Sequence, residues 1–262
     1  MNALRASLVR PAVLGELWTS VEVVETTGST NTDLLARGGP EGQVLVAEEQ
    51  TAGRGRMGRS WVSQPGEALT FSVLLRPVTV PASRRGWLPL LTGIAVATAV
   101  RSAASVAATL KWPNDVLAGE AKLAGILAEA AGDAIVVGIG LNVSTEPDEL
   151  PPADLGALAA TSLWIAGSPS PDRGTLLAAI LTVFERRYRA WSSVFGDPER
   201  SGLRAGYTRM CATIGRRVRV ELPGGGLLTG LATGVDADGR LLVRTTPGAD
   251  VPVAAGDVVH VR

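Results

Sequence analysis

The sequence predicts an α+β protein, a mixed sheet with helices, followed by a small all-β module. Three observations carry this expectation. Strand-like runs recur from Ser20 to Val143, some joined by turns and some by helical stretches. One long, alanine-rich stretch, Arg84 to about Ala108, is apolar on most sides and reads as a buried helix. After about Cys211 the chain turns to short alternating runs cut by Gly, Pro and Asp-Gly, the pattern of a compact all-β unit of about fifty residues.

In order, SVEVVE (Ser20 to Glu25) alternates, is β-branched and reads as a strand. Gly28 breaks it, Ser29 or Thr30 can cap a helix through Leu34 and Leu35, and Gly38-Gly39 ends that helix. QVLVAEE (Gln43 to Glu49) and ALTFSVLLR (Ala68 to Arg76) are further strands on either side of a Gly/Arg stretch. TLKWPNDVL is a strand entering a turn, because Pro113 forces Trp112 to be extended and Asn-Asp favours turns. KLAGILAEAAGDAIVVGIGLNV reads as two strands around Gly132-Asp133, and a polar, Pro-rich loop follows from Ser144 to about Pro152. Helices are expected over Ala157 to Ala166 and Asp172 to Phe195.

Composition narrows the chemistry. Hydrophobic residues make up 46% of the 262, enough for a packed core. Lys plus Arg and Asp plus Glu number 25 each, without the basic surplus of a nucleic-acid binder, so any positive patch is local. One cysteine, Cys211, makes an internal disulfide impossible and suits a reducing compartment. One histidine, His260, nearly excludes a His-dependent triad or a His-rich metal site. Neither MNALRASLVRPAVLGELW nor the longest apolar run has the form of a leader or a membrane span, so the expected location is the cytoplasm.

The densest signal is GRGRMGRSW, Gly53 to Trp61. It fits a dinucleotide fingerprint through Gly53, Gly55 and Gly58, and a phosphate loop except that Arg59 stands where lysine belongs. Both templates need a following helix, and RSWVSQPGEALTFSV offers Pro65-Gly66 and then a strand. What remains is a glycine-rich loop whose arginines repel one another and grip carboxylate or phosphate in a fork, with a solvated basic turn as the plain alternative. Unbound, such a loop is expected to be mobile for want of partners.

Three further clusters join it. KWPND brings Lys111 and Asp115 together across a rigid turn, unless it is an ordinary exposed turn. In KLAGILAE, Lys122 shares a strand face with Ala124, Ile126 and Ala128, so it either holds a ligand carboxylate or snorkels to water. In VVGIGLNV, Gly138, Gly140 and Asn142 share one face, nearly bare backbone on which a ligand can lie. Positive charge, one carboxylate, an open sheet face and no histidine suit the activation of a carboxylic acid by a nucleotide.

These residues, in this order, resemble the biotin protein ligases, through GSTN (Gly28 to Asn31), EEQTAGRGRMGRSW (Glu48 to Trp61), KWPNDVL, KLAGILAE and GIGLNV, over nearly the whole chain. The resemblance implies a class II synthetase/biotinyl-lipoyl-ligase-like catalytic domain over residues 1–212 and an SH3-like β-barrel over 213–262. It implies that biotin and Mg-ATP form biotinyl-5′-adenylate, which a lysine of a biotin carboxyl carrier protein of an acyl-CoA carboxylase then attacks. Ser29, Thr30, Asn31 and Gln50 would meet biotin, with Gly125 beside them, and Gly53, Arg54, Gly55 and Arg56 would close over the adenylate. Lys122 would bind the biotin carboxylate and stabilise the α-phosphate, and Lys111 would neutralise phosphate charge. Asp115 would serve magnesium or orient the incoming lysine. Trp61, Asn142, Gly138 and Gly140, with Arg56 and Lys111, would form the adenylate site.

Met57 departs from members that carry a further arginine there. Fewer than thirty residues precede GSTN, too few for the DNA-binding domain of bifunctional members, so a monofunctional ligase is expected: no DNA, no membrane, and a monomer or weak homodimer. The rivals are a lipoate or octanoate ligase, disfavoured by the GRGR loop, and a nucleic-acid-binding module whose affinity would fall steeply with salt.

Overall fold

The computed structural model describes residue 4 and residues 16–152, 158–168, 172–245 and 248–261. Most of the N-terminal stretch read as lacking a leader lies outside them, as does Ala157. Among the described residues no helix is long and apolar enough to cross a membrane.

Seven strands form the main sheet: β1 (Ser20–Thr27), β2 (Gln43–Gln50), β3 (Ala68–Leu75), β4 (Ala108–Lys111), β5 (Asp115–Ala118), β6 (Ala121–Ala131) and β7 (Ala134–Asn142). Their order is β1-β2-β3-β7-β6-β5-β4. The pair β1–β2 is parallel, because helix α1 (Thr30–Arg37) carries the chain across, and every other pair is antiparallel. The sheet is therefore mixed, as the sequence predicts. One face packs on α2 (Trp87–Ala103) and α3 (Arg173–Ser192). Helix α2 is buried along most of its length, and the alternating set Val137, Ile139, Leu141 and Val143 joins that core. The opposite face carries α1 and the site described below.

Two expectations are corrected here. The alanine-rich helix ends at Ala103, and Ala108 already belongs to β4. No described residue between 158 and 166 is helical, because that backbone bonds to the sheet instead. Lys122 N–H donates to the Ala159 carbonyl (2.8 Å), Thr161 N–H to that of Lys122 (2.9 Å) and Leu163 N–H to that of Asn142 (3.1 Å). Tertiary hydrogen bonds outweigh a helix propensity of tenths of a kcal/mol per residue. The helix α4 (Leu203–Met210) was not foreseen; its N-cap, Gly202, is left-handed at φ 70°.

The C-terminal strands β8 (Arg217–Glu221), β9 (Leu227–Val235), β10 (Leu241–Arg244), β11 (Asp250–Val253) and β12 (Asp257–His260) form a second, wholly antiparallel sheet in the order β11-β10-β9-β8-β12. This is the expected SH3-like unit. It is docked, not merely tethered. Trp87 Nε1 donates to the Ala237 carbonyl (3.0 Å) and Trp112 Nε1 to that of Gly239 (3.1 Å). Both indoles are fully buried, so their N–H groups need such acceptors.

Candidate active site

The floor of the site is a patch of bare backbone fixed by strand register. Gly140 of β7 pairs with Thr70 of β3 on one side and Gly125 of β6 on the other, and Gly138 pairs with Ser72 and Leu127. A Cβ on Gly138 would lie 2.3 Å from Asn31 Oδ1, and one on Gly140 would lie 2.2 Å from Trp61 Cε2. Other groups therefore occupy the space a side chain would fill.

Helix α1 begins over this floor. Its N-cap residue, Ser29, makes no capping bond through its side chain. Thr30 and Asn31, in the first turn, are buried against the sheet. Thr30 N–H and Oγ1 both bond Gln50 Oε1, at 2.8 and 3.0 Å. The Asn31 amide donates to the Leu127 carbonyl (3.2 Å) and Glu129 Oε2 (2.9 Å) and accepts from Ser72 Oγ (2.6 Å). Asn31 is thus locked, whereas Trp61 rides on a loop. From this difference, Gly138→Ala should cost about 1–3 kcal/mol of overpacking, and Gly140→Ala, which only swings the indole out, under about 1 kcal/mol. Chemical denaturation of both variants checks the order, and a larger loss at Gly140 would contradict it.

The cations come from the KWPND turn and β6. Lys111 ends β4, Asp115 begins β5, and the two are register partners. Lys122 Nζ lies 2.7 Å from Asp115 Oδ1, and Lys111 Nζ 3.9 Å from Asp115 Oδ2. Burial pushes the Lys111 ammonium below the usual lysine range, Asp115 opposes the shift and Lys122 adds to it. Lys122 does not share the face of Ala124 and Ile126 as alternation predicts. The β5–β6 register shifts, with Val116 opposite Ala124 and Leu117 opposite Lys122, so Leu123 is the extra residue of a bulge. The bulge turns Lys122 onto the glycine face, where Nζ lies 3.4 Å from the Cβ position of Gly125.

The Gly/Arg loop has no helix after it, as predicted. Trp61 N–H donates to the Gly53 carbonyl (2.9 Å), Gly55 N–H to that of Arg59 (2.6 Å), and Arg54 and Ser60 form an isolated bridge. Met57, at φ 55°, turns its side chain to solvent. The expectation that the arginines lack partners is not met. Arg54 Nη1 lies 2.9 Å from Glu129 Oε1, and Arg59 Nη2 2.8 Å from Asp257 Oδ1 of the C-terminal sheet. Among the described residues no carboxylate pairs with Arg56. It donates to Asn114 Oδ1 (3.0 Å), and burial lowers its pKa against the opposing pull of Asp257 and Asp115. The Trp61 indole N–H is buried with no hydrogen-bond partner among the described residues.

A cavity of about 180 Å3 gathers these parts. Ser29, Thr30, Asn31 and Gln50 line it at the α1 end, and Arg54, Gly55, Arg56 and Trp61 on the loop side. Lys111, Asp115, Lys122, Gly125, Gly138 and Gly140 of the predicted set line it too. Gly53 and Asn142 do not line it. Gly53 shapes the base of the loop, and the Asn142 amide donates to the Thr161 carbonyl (2.9 Å). Sequence reasoning missed Asn114, Thr70 and Asp257, which also line the cavity, although Asn114 stands inside a motif already singled out. Among the described residues no group of three or more His, Cys, Asp or Glu side chains could hold a metal ion. Asp115, engaged by two lysines, and Asp257, engaged by Arg59, do not fit a resident magnesium site, which needs near-octahedral oxygen ligands.

Comparison with known proteins gives the same picture. Residues 21–145 match the Biotin/lipoate A/B protein ligase family, and residues 213–261 the Biotin protein ligase C terminal domain. The chain is 45% identical over 255 residues to the biotin--[acetyl-CoA-carboxylase] ligase of Mycobacterium tuberculosis, covering 95% of this chain and 91% of that protein. It is 34% identical to the bifunctional ligase/repressor BirA of Bacillus subtilis, over 92% of this chain and 73% of that one. The structure of the Aquifex aeolicus biotin protein ligase in complex with biotin and ATP superimposes with a TM-score of 0.77 at 28% identity, covering 94% of this chain and 100% of that one.

Proposed function

We infer, for a chain that belongs to the biotin protein ligase family, that it activates biotin with ATP and transfers it to a lysine of a carboxylase carrier protein. The observation that carries this is the convergence of five cations, Arg54, Arg56, Arg59, Lys111 and Lys122, on a glycine floor beside a polar pocket. In the first half-reaction a biotin carboxylate oxygen attacks the α-phosphorus of ATP. The bond from that phosphorus to the β-phosphate bridging oxygen breaks, and pyrophosphate leaves with the electron pair. Lys122 neutralises the carboxylate and then the α-phosphate as the two are forced together, which is where fixed charge lowers a barrier most. Lys111 and Arg56 take the phosphate charge, Arg56 by its fork.

In the second half-reaction the neutral amine of a carrier lysine attacks the acyl carbon. The acyl–oxygen bond breaks, AMP leaves, and the amine loses its proton. Asp115 is suited to orient that amine, since it already draws two ammonium groups to itself. Ser29, Thr30, Asn31 and Gln50 supply the polar end that reads the ureido ring. Trp61, whose indole lies over Gly140, offers the nucleotide a flat apolar surface, and Gly138 leaves room for the Asn31 amide. Magnesium enters this reading only as the ion carried on ATP, and residues 1–212 and 213–262 act as catalytic and C-terminal domains. The partner is a carrier domain of an acyl-CoA carboxylase. The test is pyrophosphate release from ATP with biotin or with lipoate; release that follows lipoate and not biotin overturns the substrate.

A further inference from the structure

One continuous hydrogen-bonded chain joins the polar end of the cavity to the Gly/Arg loop, and its carboxylate, Glu129, has no role above. Gln50 Oε1 accepts from Thr30. The Ser72 hydroxyl lies 2.6 Å from both Thr30 Oγ1 and Asn31 Oδ1; its one proton goes to Asn31 Oδ1, which can only accept, and the Thr30 hydroxyl donates to Ser72 while Thr30 N–H keeps Gln50. The Asn31 amide donates to Glu129 Oε2 (2.9 Å), and Glu129 Oε1 holds Arg54 Nη1 (2.9 Å). Ser72 is fully buried, and the Glu129 side chain is 19% exposed against 55% for Arg54. The carboxylate is therefore the fixed member, and the loop arginine is the one being placed. Glu129 stands on the same face of β6 as Gly125 and Leu127, four and two residues after them along the strand, so the sheet itself sets its position.

We propose that Glu129 is a positioning residue for adenylate formation: it fixes Arg54 over the cavity and ties that arginine to the groups that read the substrate's polar ring. This rests on the function inferred above. Neither oxygen of Glu129 can be replaced freely. An amide at this position still accepts from Asn31, but it presents N–H groups to the guanidinium and so breaks only the link to the loop. A rigid scaffold that holds Arg54 beforehand spares the substrate the cost of ordering it.

Glu129→Gln, Arg54→Ala and the double variant are compared by biotin-dependent pyrophosphate release, with thermal midpoints recorded. Glu129→Gln should lower kcat/KM about tenfold, the range of coupled neighbours, at an unchanged midpoint. Added to Arg54→Ala it should cost under about twofold more, because its effect runs through Arg54. Trypsin should also cut the ligand-free Glu129→Gln protein after Arg54, Arg56 and Arg59 several-fold faster than the unaltered chain. An unchanged kcat/KM, an equal fold-loss in both backgrounds, or cleavage at the unaltered rate would overturn the proposal. No pyrophosphate release by the unaltered protein would instead overturn the function on which it rests, and would be recognised because it involves no variant.

Discussion

Lys122→Ala is expected to slow biotin-dependent pyrophosphate release about 100- to 1000-fold, or ~2.7–4 kcal/mol of barrier, with little change in the denaturation midpoint. The size follows from two effects that add. The substitution removes the ammonium that faces the developing charge. It also leaves Asp115 with only the Lys111 ammonium, 3.9 Å away, so a nearly bare carboxylate confronts the incoming phosphates. Lys122→Ala combined with Asp115→Asn should therefore recover part of the first half-reaction. The loss should fall mainly on kcat, because the contact strengthens as biotin and phosphate meet. Rapid-quench measurement of adenylate checks this, and a variant within a few-fold of the unaltered rate would remove Lys122 from the mechanism.

Arg56→Ala should cost about 100-fold in kcat/KM, and Arg56→Lys should restore only a minor part of it. The other loop arginines each hold a carboxylate, Arg54 with Glu129 and Arg59 with Asp257, whereas among the described residues the Arg56 guanidinium is held by a neutral amide, Asn114. Its charge is free to engage an anion without first displacing a counter-ion, and its burial makes that charge act through little water. A lysine there keeps the charge and loses the fork. Steady-state rates against ATP concentration decide the matter. Equal losses for Arg54→Ala, Arg56→Ala and Arg59→Ala would mean that the loop acts by net charge alone.

What the sequence could reveal depended on how local the cause was. Most strands of the main sheet follow from β-branched or apolar runs and turn residues, and so does the glycine face of β7, because period two and missing side chains are written in neighbouring positions; β5, which begins at the Asn-Asp turn, was not legible as a strand. The missing helix after Gly58 was legible for the same reason, in Pro65-Gly66. Causes set by tertiary structure were not. The face of Lys122 turns on a bulge that only the pairing of β5 with β6 reveals. The stretch up to Ala166 reads as helical until its backbone meets β6 and β7. Asp257 stands nearly two hundred residues from the arginine it holds, and Glu129 ends a motif whose other members drew the attention. Ser72, inside the uniformly buried β3, carries the one sequence hint of the relay: a hydroxyl in a wholly buried strand needs partners.

The central claim is that this cavity makes an acyl adenylate and passes the acid to a protein lysine. Intact-mass analysis of a carboxylase carrier domain, incubated with the protein, biotin, ATP and magnesium, tests it most directly. The account predicts a mass gain of one biotinyl group on a single lysine, dependent on ATP and abolished in Lys122→Ala. A carrier unchanged in mass, or one modified equally well by Lys122→Ala, would contradict it.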